Sequence, residues 1–139
     1  MAPLNSAALV VVNAVNRRQG AVFSLALQNV IGGPYRLALH QIGNCNSPNG
    51  FSAGNAWAPP GSTVPPEEVF PVFFVDMQGP TNLNFYVPGV SVDEPGSLLG
   101  RTIVLHQGTV IREAFPGQPN NRVACGVFAP PGASFLNRP

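Results

Sequence analysis

Within the first 42 residues, two stretches, 21–30 and 35–42, alternate between two side-chain faces with a period of two. Residues 8–15 (ALVVVNAV) are β-rich and nearly all apolar, and residues 16–20 (NRRQG) carry turn chemistry. Residues 21–30 (AVFSLALQNV) put Val22, Ser24, Ala26 and Gln28 on one face and Phe23, Leu25, Leu27 and Asn29 on the other. A strand sends successive side chains to opposite faces of its sheet, so this is strand patterning. Gly32, Gly33 and Pro34 break it. Residues 35–42 (YRLALHQI) resume it, with Tyr35, Leu37, Leu39 and Gln41 on one side and Arg36, Ala38, His40 and Ile42 on the other. Further strands are predicted at residues 69–76, 83–92, 102–107 and 122–128, where Pro71 and Pro88 mark edges or bulges. Two stretches have no periodicity. Residues 44–66 are rich in Asn, Ser, Gly and Pro and hold the only Trp, Trp57; residues 108–121 form the other. Loops of such length are commonly functional. Seven or so short strands, no strong helix and no internal repeat predict an all-β Greek-key barrel or sandwich, with residues 1–139 as one domain.

Composition sharpens this picture. Sixteen prolines and fifteen glycines in 139 residues disfavour long helices. Charged residues make up only 9%, against roughly 25% in ordinary globular chains. The seven basic residues are all Arg, and the net charge of +1 comes with no basic cluster. Neither nucleic acid nor an anionic membrane surface is therefore an expected partner. No run of 18 apolar residues exists to span a bilayer. The apolar start lacks the basic n-region of a secretory signal, so any export signal would lie outside this chain. Low surface charge is compatible with a homodimer, and the two long loops with a protein partner.

The chemistry-bearing side chains are few. Cys45 and Cys125 are the only cysteines. If bridged, they would close a loop of about 80 residues, worth roughly 4 to 5 kcal/mol in the loop-entropy description, and would imply an oxidising compartment. His40 and His106 are the only histidines, each near the end of a strand, with no His, Cys or carboxylate at metal spacing. Spacing alone favours two hydrogen-bonded, half-buried rings over a metal pair. Glu67 and Glu68 diverge as neighbours, and Asp93–Gly96 reads as a turn. The aromatic stretch of Phe70, Phe73, Phe74, Phe85 and Tyr86 reads mainly as core. No Ser-His-Asp set, phosphate loop or CxxC is present.

Four segments form a recognisable set. LGRTIVLH at 99–106 resembles the GRT-x-V-x-H strand of copper/zinc superoxide dismutases, and NRVACGV at 121–127 resembles their SR-x-ACGV segment. LHQIGNC at 39–45 resembles H-x-H-E-x-GDC, and SAGNAWAP at 52–59 resembles SAG-x-H-F-N-P. They fall in the family's order over about two thirds of the chain. The resemblance implies that family's Greek-key barrel, with a disulfide from Cys45 to Cys125 pinning the first long loop, and hence a secreted or periplasmic location.

The resemblance also subtracts. Of the family's four copper histidines, only His40 and His106 match; Ala38 and Ala56 stand at the other two, and Ala56 takes the position that bridges copper to zinc. Residues 59–68 hold no histidine, and the zinc aspartate falls near Val69, so zinc is not expected. Arg122 matches the arginine that draws in the superoxide anion, and is read here as a structural hydrogen-bond donor. Two histidines suit Cu(I) in a near-linear site and support Cu(II) poorly. Met1 and Met77, the only other soft groups, have no sequence reason to lie nearby. The two alanines leave volume for Trp57 or Phe51 to fill; left open, it would be a pocket ringed by His40, His106, Trp57 and Arg122. The expectation is a dismutase-like binding or structural domain with no required cofactor and no dismutase turnover. The alternatives are copper storage, delivery or sensing through His40 and His106, and residual redox activity. Ring nitrogens within about 4 Å would favour a shared metal, since metal–nitrogen bonds run near 2 Å; wide separation or ring bonds to backbone would favour packing.

Overall fold

The structure is a computed structural model, and it describes residues 9–46, 51–76, 80–92, 98–109, 121–128 and 133–135. It contains two four-stranded antiparallel sheets. β1 (Leu9–Arg17), β2 (Gly20–Gln28), β5 (Thr81–Pro88) and β8 (Ala133–Phe135) form one, in the order β5-β2-β1-β8. β3 (Gly33–His40), β4 (Phe73–Val75), β6 (Thr102–Gln107) and β7 (Arg122–Val127) form the other, in the order β4-β3-β6-β7. Among the described residues the only helical turns are 3₁₀, at Phe51–Ala53 and Pro66–Glu68.

The core lies between the sheets, where the alternation places it. Val10, Val12 and Ala14 of β1 sit opposite Leu27, Leu25 and Phe23 of β2, all buried. Phe85 and Leu83 of β5 continue those rows beside Phe23 and Leu25. Tyr35, Leu37 and Leu39 from β3 and Ile103 and Leu105 from β6 supply the facing layer. Phe70 links the layers edge-on, with ring centroids 5.1 Å from Phe23 and 5.6 Å from Phe85. Phe74 and Tyr86, one residue out of phase with the core positions, are exposed.

β1 and β2 are joined by a two-residue turn. Arg18 and Gln19 both have positive φ, +46° and +66°, as a right-twisted hairpin requires of its central residues. The following position accepts only glycine, because a Cβ on Gly20 would lie 2.5 Å from the Val87 carbonyl oxygen.

Several boundaries differ from the sequence expectation. The strand expected over 69–76 shrinks to three residues, because the chain first makes the Pro66–Glu68 turn and then passes Pro71 before it pairs. β3 starts at Gly33 and ends at His40, after which the backbone of 41 and 42 pairs with the loop instead. β5 covers Thr81–Pro88 rather than 83–92 and ends at the proline on a sheet edge. β8 was not anticipated; three residues in a Pro- and Gly-rich tail carry too little pattern. The aperiodic stretch at 110–120, the turn at 93–96 and Met77 lie outside the described residues.

Both faces of β3, β6 and β7 are buried over most of their length, unlike β1 and β2, whose outer face is wet. The difference comes from the loop after β3. Cys45 and Cys125 are disulfide-bonded with Cα atoms 5.8 Å apart. The tether lays residues 51–57 across the outer face, where Ala53, Val104 and Cys125 make a second small core with Cys45 against it.

Candidate metal centre

That covered outer face carries the two histidines. The register pairs His40 with Thr102, Ala38 with Val104, and Arg36 with His106, so the histidines stand diagonally with the Ala38–Val104 pair between them. The β6–β7 register shifts between Leu105 and His106, where β7 carries an extra residue, and this brings Arg122 opposite His106. Arg122, His40 and His106 are all 0% exposed.

The imidazoles lean toward each other across the intervening pair. Their centroids are 5.2 Å apart with planes 21° from parallel, and the two Nε2 atoms are 3.1 Å apart. The other ring nitrogens are engaged. His40 Nδ1 lies 2.8 Å from the Gly54 carbonyl oxygen, an acceptor, so Nδ1 carries the proton. His106 Nδ1 lies 2.9 Å from Asn121 Oδ1. The Asn121 amide is oriented by its Nδ2 donating to the Gln107 carbonyl at 3.0 Å, so its oxygen faces the ring and His106 Nδ1 also carries a proton. In the neutral rings both Nε2 lone pairs therefore point at one another.

Electrostatics keep them bare. Burial lowers the pKa of His40 to about 3, reinforced by the positive charge of Arg122 and by His106. Burial lowers His106 to about 4; Arg122 adds to the drop, and the Asn121 hydrogen bond opposes it. Arg122 Nη2 donates to the same Gly54 oxygen at 2.8 Å, so one backbone carbonyl orients both an imidazole and the guanidinium.

Gly54 is held by a short ladder along the end of β3. Gln41 N donates to Asn55 O at 3.1 Å, Ile42 N to Ala53 O at 3.0 Å, and Trp57 N to Leu39 O at 2.8 Å. His40 and Ala56 face each other in this bridge, which puts Ala56 on the histidine side and Trp57 on the other. Trp57 packs against the main core with Arg101 stacked 3.9 Å above its ring. It packs on the core side of the bridge, so among the described residues it does not ring a pocket with His40, His106 and Arg122. The rings themselves close over Ala38, which is 0% exposed.

Of the residues singled out from the sequence, His40, His106, Arg122, Ala38 and Ala56 converge, and Cys45 with Cys125 anchors the loop above them. Val69 does not join them; it is half-buried against the main core. Both criteria set for the histidines are met at once: close nitrogens, and a backbone bond at His40. Sequence reasoning missed Gly54 and Asn121. Asn121 had a signal, since it stands where the resembled segment has Ser, immediately before Arg122.

The donor set does not suit the copper and zinc of the resembled proteins. Among the described residues no three of His, Cys, Asp and Glu cluster at metal distance. Neither bridging imidazole nor zinc carboxylate is present at Ala56 and Val69. The donors do match a two-coordinate nitrogen site, in which each ligating ring gives its other N–H to a carbonyl.

The Copper/zinc superoxide dismutase (SODC) family matches residues 9–128. A search of curated protein sequences finds no match. Forty-one solved chains match in structure. One is the clock protein EA4, with a TM-score of 0.61 and 18% identity, covering 86% of this chain and 91% of that one. With the signature segments, the two-sheet fold and the loop disulfide in place, the chain belongs to the copper/zinc superoxide dismutase family.

Proposed function

We propose that this chain is a dismutase-family β-domain that does not turn over superoxide and acts as a binding domain in a secreted or periplasmic setting. One observation carries the reading: His40 and His106 close against each other over Ala38, with Ala56 beside them, so the open multi-nitrogen set that copper cycling requires is missing. A disulfide is compatible with an oxidising compartment. The test is superoxide consumption, followed directly by pulse radiolysis, on protein incubated with copper and zinc and then freed of loose metal. Decay no faster than in buffer is expected. Protein-bound catalysis that survives desalting would overturn the reading.

A second reading, copper binding through His40 and His106, is favoured by one specific feature. Two buried, facing lone pairs, each set by a hydrogen bond on the far side of its ring, form a donor pair with no internal proton to share.

A further inference from the structure

We propose that the outer face of the β5–β2–β1 sheet is a docking strip for an uncharged, straight, β-linked oligosaccharide. The strip lies on the sheet that does not carry the histidines, so it stands or falls apart from both readings given for them.

The strip is a polar array in register. Asn13, Ser24 and Asn84 stand side by side across β1, β2 and β5. The row on one side ends in Asn82 and the row on the other in Tyr86, and the remaining places in both rows are aliphatic. Asn13, Ser24, Asn82, Asn84 and Tyr86 are all exposed. A shallow groove of about 180 Å³ follows Asn13, Ser24, Asn82 and Asn84. Ser24 Oγ donates to Asn84 Oδ1 at 2.8 Å, which leaves the Asn84 NH₂ as a donor for a ligand. No place in the three rows is charged; the first charge along β1 is Arg17, beyond Val15.

Tyr86 adds a platform. Its ring lies down on the sheet instead of standing off it. A Cβ on Gly20 would meet Tyr86 Oη at 2.7 Å and Cζ at 2.8 Å, and the hydroxyl donates to the Arg18 carbonyl at 2.9 Å. Glycine at position 20 gives the ring its seat, and the hydroxyl pins it there. One side of the ring covers Gly20, which is buried, while the residue as a whole remains 51% exposed. A pinned, flat ring suits the apolar C–H side of a pyranose, and amides suit its hydroxyls. Asn82, Asn84 and Tyr86 recur at every second residue of β5, about 7 Å apart along a straight strand. A β-linked chain of pyranoses runs straight enough to meet all three, whereas an α-linked chain coils away.

Size and charge choose the sugar over other occupants. Three rows by three strands measure about 14 Å by 10 Å. That is far below the roughly 800 Å² that each side of a stable protein interface gives up. Amides buried under a second copy would also each need a fixed partner. Sugar hydroxyls both donate and accept, so they satisfy an amide in either orientation. An uncharged strip offers no complement to an acidic chain, which would be drawn to Arg17 and Arg18 at the hairpin instead.

The experiment uses the whole ¹⁵N-labelled, disulfide-intact protein and ¹H–¹⁵N correlation spectra. Cellohexaose, xylohexaose and chitohexaose are titrated singly into the millimolar range, beside maltohexaose and hexagalacturonate. At least one of the first three is expected to move the side-chain NH₂ signals of Asn13, Asn82 and Asn84 and the backbone signal of Tyr86, unchanged by added sodium chloride. Maltohexaose should bind more weakly. Tyr86→Ala should weaken binding about tenfold, as truncating a central aromatic contact does, and Tyr86→Phe, which keeps the ring, should retain most of it. The double variant Asn82→Ala/Asn84→Ala leaves the seat at Gly20 untouched and should weaken binding likewise, so a hairpin disturbed by Tyr86→Ala does not decide the matter. No shift with any of the three β-linked probes would overturn the proposal. So would binding of hexagalacturonate alone, centred on Arg17 and Arg18 and lost in salt, or shifts on this face that follow protein concentration without sugar, which would mean a second copy covers it. Equal binding of maltohexaose would overturn the preference for a straight chain.

Discussion

The disulfide should contribute more to stability than any other single group in the chain. Cys45 and Cys125 are 80 residues apart, and their bond removes loop freedom from the unfolded chain. The loop-entropy relation gives about −15 cal/mol/K for a loop of that length, or about 4.5 kcal/mol at 25 °C. Native contacts add little to this, since among the described residues Cys125 belongs to a small outer cluster with Ala53, Val104 and Cys45. The double variant Cys45→Ala/Cys125→Ala should therefore lose about 4 to 5 kcal/mol. With a urea slope of about 2 kcal/mol/M, the unfolding midpoint should fall by about 2 M. Urea titration of both proteins, followed by Trp57 fluorescence and far-UV circular dichroism, measures this. The slope is part of the test, because a freed unfolded chain exposes more surface and should steepen it. A loss below about 1 kcal/mol with an unchanged slope would refute the reasoning. The unfolded variant would then be held compact by something other than the bridge.

The buried histidines set a pH dependence. Both pKa values lie below the ordinary 6.5, His40 at about 3 and His106 at about 4, so between pH 6.5 and 4 the unfolded chain binds more protons than the folded one. Stability should be full above pH 6.5 and fall as pH drops, by up to about 1.4 kcal/mol per pH unit for each ring; chemical denaturation from pH 7.5 to 4.5 reads it, and a flat profile would contradict bare rings. Gln19→Gly should stabilise by about 1 kcal/mol, because φ is +66° there and the left-handed region costs a side chain about that much; a lower thermal midpoint would count against it. Thr102→Val should be neutral or stabilise by about 1 kcal/mol, since the buried Thr102 hydroxyl has no hydrogen-bond partner among the described residues; a loss above 1 kcal/mol by denaturation would show a partner. Ala38→His should destabilise by about 1 to 3 kcal/mol through overpacking, because the two rings already occupy the space above a fully buried alanine; an unchanged urea midpoint would mean that the site opens freely.

Much of the fold was legible because it depends on local pattern. The alternation at 21–30 put Phe23, Leu25 and Leu27 inside, and the register with Val10, Val12 and Ala14 follows from a short turn between two strands of one apolar phase. The motifs likewise show which residues gather: LHQIGNC, LGRTIVLH and NRVACGV bring His40, His106 and Arg122 to one sheet face, because each lies on a strand whose neighbours are set by the fold, and Cys45 in the following loop is bonded to Cys125 on β7. Ala38 and Ala56, the lack of histidine at 59–68 and Val69 at the aspartate position are the sequence grounds for expecting no zinc and only half of the copper set.

What the sequence could not decide was what fills the space those alanines leave. That depends on ring torsions and on a covering loop, neither of which has a period to read. A one-residue phase at the His40–Ala56 bridge sends Trp57 to the core under Arg101 rather than toward the histidines. The bonds from Gly54 and Asn121 come from residues 14 and 15 positions from the rings they orient. They turn two imidazoles from separate strands into one facing pair. The identity of the two rings was written in the chain, but the direction of their lone pairs comes from tertiary hydrogen bonds.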